Sequence, residues 1–121
     1  MCMPLQSQKP PRGAEYMGHK VVYIAGPMTG IKLLNRQLFD NAEKTIRNIG
    51  YVVLNPAHLP VGMSKDKYMP ICLSMIDAAD IVCMLPGHEK SNGASIELAY
   101  AKYQNKTVTT YNWLIGKEVE E

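Results

Sequence analysis

Short apolar runs alternate with longer segments of helical periodicity along most of this chain. Apolar runs at residues 21–25, 51–54 and 81–85 predict three buried strands, the third beginning at Asp80, and the β-branched run at residues 107–111 predicts a fourth. Strands that are apolar without alternation are typical of a parallel sheet, because helices cover both of its faces.

Helical spacing fills the stretches between these runs. Five apolar side chains recur at intervals of three or four before a terminating glycine at position 50: Leu34, Leu38, Ala42, Ile46 and Ile49. Residues 67–79 predict a second helix, in whose first turn Pro70 is tolerated, and residues 94–104 predict a third. Four strands alternating with three helices predict an α/β fold with an open parallel sheet.

A chain of 121 residues has room for one domain, and the polar segments lie at its two ends. Residues 1–18 lack periodicity and contain several Pro and Gly, so they predict a disordered leader or a non-native extension. Residues 19–116 form the predicted domain. Residues 117–121 predict a polar, solvated tail.

Composition excludes several classes of function. A net charge of +2 is too small to predict binding to nucleic acid or to an anionic membrane. No apolar run approaches the ~20 residues that a membrane helix needs. The three cysteines lack the spacing of a metal site, so neither a metal nor another cofactor is predicted, and a reducing cytoplasm is the simplest location.

Two glycine-containing loops follow predicted strands, and ligands bind at that edge of an open α/β sheet. The loop at residues 26–30 (GPMTG) lacks the ending of a P-loop and also lacks the dinucleotide fingerprint, and a tight turn explains it equally well. The loop at residues 91–97 (SNGASIE) opens a helix, whose free backbone N–H groups offer an anion site.

Glu97 stands near the start of that helix, where the dipole favours a carboxylate even without any function. Without other evidence, the helix dipole is a sufficient explanation for a carboxylate at position 97. A phosphate cradle beside a carboxylate nevertheless suggests chemistry on a phosphorylated sugar. On the second predicted helix, Tyr68 and Cys72 are better placed toward this edge than Asp77 is. Asp80, at the opposite edge, is assigned a structural role.

Several segments together resemble the nucleoside 2-deoxyribosyltransferase-like superfamily. They are residues 23–30 (YIAGPMTG) with Asn35 and Phe39, residues 54–57 (LNPA), and residues 85–94 (LPGHEKSNGA) with Glu97. The resemblance spans about residues 21–111 and is closest to a small branch common in bacteria and their phages, which is similar to nucleoside 5′-monophosphate N-glycosidases. It implies a flavodoxin-like or Rossmann-like open parallel sheet of four to five strands flanked by helices, and a homodimer or higher homo-oligomer.

The resemblance implies cleavage of an N-glycosidic bond, by hydrolysis or deoxyribosyl transfer, in a nucleoside 5′-monophosphate or related nucleotide. It implies that Glu97 is the nucleophile and that Tyr23 contacts its carboxylate. Ser91 matches a phosphate-holding serine of the nucleotide hydrolases, where free-nucleoside transferases have Asp. Substrate or phosphate contacts are predicted for Gly26, Pro27, Met28, Thr29, Gly30, Asn35, Ser91, Gly93 and Ala94.

One position departs from the superfamily, which often has an Asp eight residues before the third-strand Asp, where it helps protonate or position the departing base. This chain has Cys72 there, and a thiol is a poor acid. Base contacts are predicted for Asn55, Tyr68 and Cys72. Cys72 favours the alternative of a non-catalytic nucleotide-binding module, a sensor or sink, whereas Tyr23 with Glu97 favours the enzyme. A structural protein with a relic cleft is a third alternative.

Overall fold

The computed structural model of the protein describes residues 19–27 and 32–119. Predictions made for residues 1–18 and for Met28, Thr29 and Gly30 therefore lie outside the described residues. Within that range, no helix is long and apolar enough to cross a membrane.

Four parallel strands form one sheet in the order β2-β1-β3-β4. They are β1 (Val21–Ala25), β2 (Val52–Leu54), β3 (Ile81–Met84) and β4 (Thr107–Thr110). β1 lies between β2 and β3, so the chain leaves β1 toward one side of the sheet and later returns to the other. The predicted fold class, an open parallel α/β sheet flanked by helices, is confirmed.

Four α-helices flank the sheet in the described part of the chain. They are α1 (Lys32–Ile49), α2 (Lys65–Ala78), α3 (Asn92–Tyr103) and α4 (Tyr111–Val119). Two short 3-10 helices, Pro56–His58 and His88–Lys90, follow β2 and β3. α1 to α3 correspond to the three predicted helices, with boundaries that differ by about two residues at their ends.

α4 was not predicted. The sequence pattern placed Tyr111 at the end of the fourth strand and residues 117–121 in a polar tail, whereas α4 begins at Tyr111 and continues to Val119. The reason is local capping followed by burial. Thr110 Oγ1 accepts a hydrogen bond from the Trp113 backbone N–H at 3.2 Å, and Leu114 packs into the core at 3% exposure. Nine residues are too few for a clear helical period in the sequence.

The sheet separates two apolar clusters, because successive strand residues point to opposite faces. One cluster joins β1 and β3 to α1 and α4: Val22, Ile24, Phe39, Ala42, Ile46, Ala57, Cys83, Leu85 and Leu114. The other joins the alternate strand positions to α2 and α3: Tyr23, Ala25, Cys72, Ile76, Ala79, Val82, Met84, Ala94 and Ala101. Tyr23 therefore points from the central strand toward α2 and α3.

Asp80 ties the amino-terminal ends of β1 and β3 together. Its Oδ2 accepts a hydrogen bond from the Val21 backbone N–H at 2.8 Å, and its own backbone N–H donates to the Val21 carbonyl at 2.8 Å. This contact lies at the edge of the sheet opposite the glycine loops, in agreement with the structural role predicted for Asp80.

We expect Asp80→Ala to lower the free energy of unfolding by about 1–2 kcal/mol, because the Val21 N–H loses a charged acceptor. Urea denaturation would measure the change, with Glu89→Ala as a control for loss of an exposed carboxylate. Equal stability of the Asp80→Ala and Glu89→Ala proteins would contradict this role.

Candidate active site

A buried hydrogen bond joins the central strand to α3. Tyr23 Oη donates to Glu97 Oε2 at 3.1 Å across 74 positions of sequence. The tyrosine is fully buried, and Glu97 is 8% exposed. The structure thus brings together the two residues to which the resemblance assigned catalysis. A carboxylate so far from solvent needs hydrogen-bond donors to offset its lost hydration.

Burial changes the acid–base properties of this pair. It raises the pKa of Glu97 from 4.5 to about 7, although hydrogen bonds from Tyr23 and Cys72 act to lower it. Burial, with the charge of Glu97 as the next cause, raises the pKa of Tyr23 far above its ordinary value. The phenol therefore remains a donor at neutral pH, while Glu97 changes its protonation there. Such perturbed acids cluster at functional sites.

Cys72 of α2 adjoins the pair. It is 7% exposed and lies in the same apolar cluster as Tyr23. Burial raises the pKa of its thiol to about 11. β1, α2 and α3 each contribute one side chain to this group, and Glu97 is the one that ionises near neutral pH.

The amino terminus of α3 provides a second feature of the site. Ser91 Oγ caps the helix by accepting from the Ala94 N–H at 3.1 Å, and the Ser91 carbonyl accepts from the Ser95 N–H at 3.0 Å. No described residue accepts a hydrogen bond from the backbone N–H of Asn92 or Gly93. These two N–H groups, at the positive end of the helix dipole, can bind an anion, whereas the Ala94 N–H is already engaged.

Gly26 and Pro27 follow β1 and lie against residues of the loop that follows β3. A Cβ on Gly26 would lie 3.0 Å from Leu85 Cβ and 3.3 Å from Phe39 Cζ, so tight packing favours a glycine there. Gly87 adopts a left-handed conformation with φ of +88°, and a Cβ on it would lie 3.5 Å from Pro27 Cγ. The loops that follow β1 and β3 therefore meet at the carboxyl-terminal edge of the sheet.

Asn35 is buried in α1 at 6% exposure, and its Nδ2 has no hydrogen-bond partner within the described residues. A buried amide donor without an acceptor costs free energy, and an acceptor from a bound molecule would recover it. The role of Asn35 as a substrate contact stays a prediction, for which this donor is available.

Asn55 is engaged within the fold. Its Oδ1 accepts from the Ala57 N–H at 2.9 Å, which caps the 3-10 helix after β2. Its Nδ2 donates to Asp40 Oδ1 at 3.1 Å and to Glu43 Oε1 at 2.9 Å. These bonds fasten the loop after β2 to α1 and occupy the polar atoms that were predicted to contact a base.

Tyr68 is also engaged. Its hydroxyl donates to the Pro60 carbonyl and accepts from the Met63 N–H at 3.3 Å, which holds the loop before α2 against that helix. Of the three residues predicted to contact a base, Cys72 is the one that packs in the same buried cluster as Tyr23.

Among the described residues, one group has potential ligand atoms close enough together to hold a metal ion. Its members are Asp40, Glu43 and His58, whose ligand atoms lie within 4.8 Å of one another. His58 Nε2 lies 3.2 Å from Asp40 Oδ1 and 3.3 Å from Glu43 Oε1. Asn55 donates to both of these oxygens, and Arg47 pairs with Glu43 Oε2 at 3.1 Å. The group is accordingly a hydrogen-bonded network at the surface that links α1 to the loop after β2.

A cavity of about 260 Å³ opens between the loop that follows β3 and the start of α4. Residues 84–89 and 110–112 line it, and Glu97 does not. The cavity was not predicted, because one of its walls is the start of the unpredicted helix α4. The cavity lies at the carboxyl-terminal edge of the sheet, the edge at which the glycine loops also lie.

The raised pKa of Glu97 makes stability depend on pH. Because the folded protein holds this proton more tightly than the unfolded chain, the stabilising contribution is complete below about pH 4.5 and is lost as pH rises through about 7. We expect Glu97→Gln to remove this decline, a difference of roughly 3 kcal/mol across the window. Urea denaturation at several pH values measures it, and parallel curves for the two proteins would contradict it.

Comparisons with known proteins were consistent with this architecture. The family model described as a domain of unknown function (DUF4406) matches residues 20–110. No match was found among curated proteins. A 2-desoxiribosyltransferase from Leishmania mexicana is similar in structure, with a TM-score of 0.60, 24% sequence identity, and coverage of 75% of this chain and 63% of the Leishmania chain.

The CMP N-glycosidase BcmB of Clostridium botulinum is similar as well, with a TM-score of 0.58 and 22% identity over 75% of this chain and 70% of that chain. At these identities the likeness establishes a shared fold, which confirms the architecture implied by the resemblance to nucleoside 2-deoxyribosyltransferase-like proteins. The match over most of its length shows that the chain belongs to the DUF4406 family, and it has the fold of that superfamily.

Proposed function

We propose that this protein cleaves the N-glycosidic bond of a nucleoside 5′-monophosphate or related nucleotide, by hydrolysis or deoxyribosyl transfer. The observation that carries the proposal is the buried Tyr23–Glu97 hydrogen bond of 3.1 Å, on the helix whose amino terminus presents free N–H groups. The structural likeness to a 2-desoxiribosyltransferase and a CMP N-glycosidase supports glycosyl transfer or cleavage as the reaction class.

In this mechanism the Glu97 carboxylate attacks the anomeric carbon of the sugar. Tyr23 holds Oε2, so Oε1 is the oxygen that forms the new C–O bond while the C–N bond breaks and the base leaves with the electron pair. Negative charge beside the oxocarbenium-like transition state stabilises it. Water, or a second base, then displaces the sugar from the glycosyl ester and restores the carboxylate.

The phosphate would lie at the amino terminus of α3. The N–H groups of Asn92 and Gly93 are available there to bind an anion, and Ser91 caps the helix at that terminus. Asn35 contributes the buried Nδ2 that lacks an acceptor. The loop at residues 26–30 and Ala94 complete the proposed cradle. Binding energy from this remote group would position the sugar for attack.

A non-catalytic nucleotide-binding module, a sensor or sink, is the second candidate. It uses the same cleft without a nucleophile. Cys72 favours it, because a thiol whose pKa is raised to about 11 is a weaker acid than the carboxyl group that the superfamily often has there, and so a poorer proton donor to a departing base.

We also propose that the protein is cytoplasmic and forms a homodimer or higher homo-oligomer. The free thiols of Cys72 and Cys83 agree with a reducing compartment. Ile96 and Tyr103, 51% and 81% exposed on α3, agree with an interface between copies. Small-molecule nucleotides are the proposed partners, without nucleic acid or membrane.

We expect Glu97→Ala to reduce release of free base from nucleoside 5′-monophosphates by roughly a thousandfold or more, because the nucleophile is lost. Chromatography after incubation with ribo- and deoxyribonucleotides measures it, and Glu89→Ala is the matched control for an exposed carboxylate. Undiminished turnover in Glu97→Ala would exclude the mechanism. No release from the unmodified protein, with thermal stabilisation of both proteins by nucleotide, would establish the binding module.

We expect kcat/KM for base release to fall as pH decreases through about 7, because a protonated carboxyl group is not a nucleophile. Tyr23→Phe removes a hydrogen bond that lowers the pKa of Glu97, so its profile should shift toward higher pH. Initial rates from about pH 5.5 to pH 9 measure both. A profile without an inflection, or one that Tyr23→Phe leaves in place, would contradict this assignment.

A further inference from the structure

We propose that Arg36 of α1 supplies the positive charge of the phosphate cradle, and that its guanidinium selects a ligand with a phosphate group over the same ligand without one. The proposal rests on the proposed function for the identity of the ligand. It adds a specificity-determining residue that lies outside the segments carrying the resemblance, and the anion site itself can be tested without turnover.

The groups already assigned to the cradle carry no formal charge. The backbone N–H groups of Asn92 and Gly93, the Ser91 cap and the Asn35 amide are all neutral. A phosphate monoester carries about 1.5 to 2 negative charges at pH 7, and a guanidinium can meet two of its oxygens with two parallel N–H groups. A cation at this edge of the sheet would therefore determine how strongly the site prefers a phosphate.

Arg36 lies at the edge of the sheet where the glycine loops lie. α1 begins at Lys32, after the carboxyl end of β1, and the side chains of an α-helix lean toward its amino terminus. Arg36 is partly buried, and its Nη1 donates a hydrogen bond to the Ala57 carbonyl. Ala57 belongs to the 3-10 helix that follows the carboxyl end of β2. The guanidinium is therefore held against this edge and does not extend into solvent.

Arg36 has no counter-ion among the described residues. Asp40, four positions along α1, is the carboxylate that helical spacing would pair with it. Asp40 Oδ1 instead accepts a hydrogen bond from Asn55 and lies 3.2 Å from His58 Nε2. The Ala57 carbonyl accounts for one of the five N–H donors of the guanidinium. A partly buried cation with further donors and no paired carboxylate is suited to an anionic ligand.

The neighbouring side chain gives independent support. Asn35 is 6% exposed, and its Nδ2 has no hydrogen-bond partner in the described part of the chain. Asn35 lies on the helical stripe that continues with Phe39, whose Cζ would be 3.3 Å from a Cβ on Gly26, so this stripe packs against the start of the loop after β1. Asn35 and Arg36 thus place a neutral and a charged donor near the positive end of the α1 dipole.

An exposed lysine is the alternative source of charge at this edge. Lys90 ends the 3-10 helix that precedes α3, and it is exposed. A solvated ammonium loses more hydration and more side-chain entropy on binding an anion than a guanidinium already held against the protein. Lys90 is therefore a useful comparison, because its removal takes the same charge from the same edge.

The experiment is a calorimetric titration of the protein with inorganic phosphate at constant ionic strength. We expect Arg36→Gln to raise the dissociation constant for phosphate by roughly tenfold to a hundredfold, because a charged hydrogen-bond donor is lost. Arg36→Lys keeps the charge without the planar fork, so its dissociation constant should lie between those of the unmodified protein and Arg36→Gln. Asn35→Ala should raise the constant as well, by a smaller factor.

Arg47→Gln and Lys90→Gln are the matched controls. Arg47 lies in the last turn of α1 and pairs with Glu43 at 3.1 Å, so Arg47→Gln removes the same charge from the opposite end of the same helix. We expect neither control to change the dissociation constant by more than about twofold, because exposed charges are screened. Thermal unfolding without phosphate shows whether each variant folds.

Three results would overturn the proposal. They are no phosphate binding by the unmodified protein, equal binding by Arg36→Gln and Arg47→Gln, and a loss of binding confined to Lys90→Gln. Arg36→Lys, which retains a donor for the Ala57 carbonyl, replaces Arg36→Gln if that variant does not fold. Phosphate binding by Arg36→Lys equal to that of the unmodified protein would then overturn the proposal.

Phosphate binding needs no turnover, so the titration separates the two hypotheses. Binding that depends on Arg36, in protein that releases no base from any nucleotide, supports the anion site and counts against glycosidic cleavage. Base release that depends on Glu97, together with unchanged phosphate binding in Arg36→Gln, keeps the proposed function and removes Arg36 from it. Where base is released, Arg36→Gln should raise KM for the nucleoside 5′-monophosphate and leave the kinetics with the free nucleoside unchanged.

Discussion

A carboxyl group withdrawn from solvent is the constraint around which this structure is organised. Glu97 is 8% exposed, and the phenol of Tyr23 on the central strand donates a hydrogen bond to it in place of water. This donor carries no charge, so burial prevails and the pKa of Glu97 rises to about 7. Burial of this ionisable group therefore lowers stability near neutral pH while it keeps a reactive acid away from water. Such a loss of stability is typical of functional sites.

The order of strands is what makes this arrangement attainable. β1 pairs with both β2 and β3, so it lies inside the sheet, where helices cover both of its faces. The alternation of side chains along the strand directs Tyr23 into the layer formed by α2 and α3. The β1–β3 pair also brings the loops that follow these two strands into contact at one edge, where Gly26 packs on Leu85 and Pro27 approaches Gly87. At the other edge, Asp80 holds the same two strands together.

The fold and the chemistry rest on different evidence. Structural likeness at 24% and 22% identity establishes a shared architecture, and one architecture can serve many reactions. The proposed reaction instead depends on local features: an acid with a pKa near neutrality, free N–H groups at the start of α3, and the unpaired Nδ2 of Asn35. A nucleoside phosphate offers a matching partner for each of them.

By itself the sequence determined the α/β class, the four strands, the first three helices and the edge at which the glycine loops lie, because these follow from local periodicity. The resemblance also selected Tyr23 and Glu97 before any geometry was known. Tertiary packing decided that α4 persists beyond its local cap, since the burial of Leu114 depends on a core built from distant parts of the chain. It also decided that Asn55 and Tyr68 fasten loops, because their partners' backbone groups have no signature in the sequence. The pKa of Glu97 is likewise a tertiary property, because burial and donors reach it from residues distant in the chain.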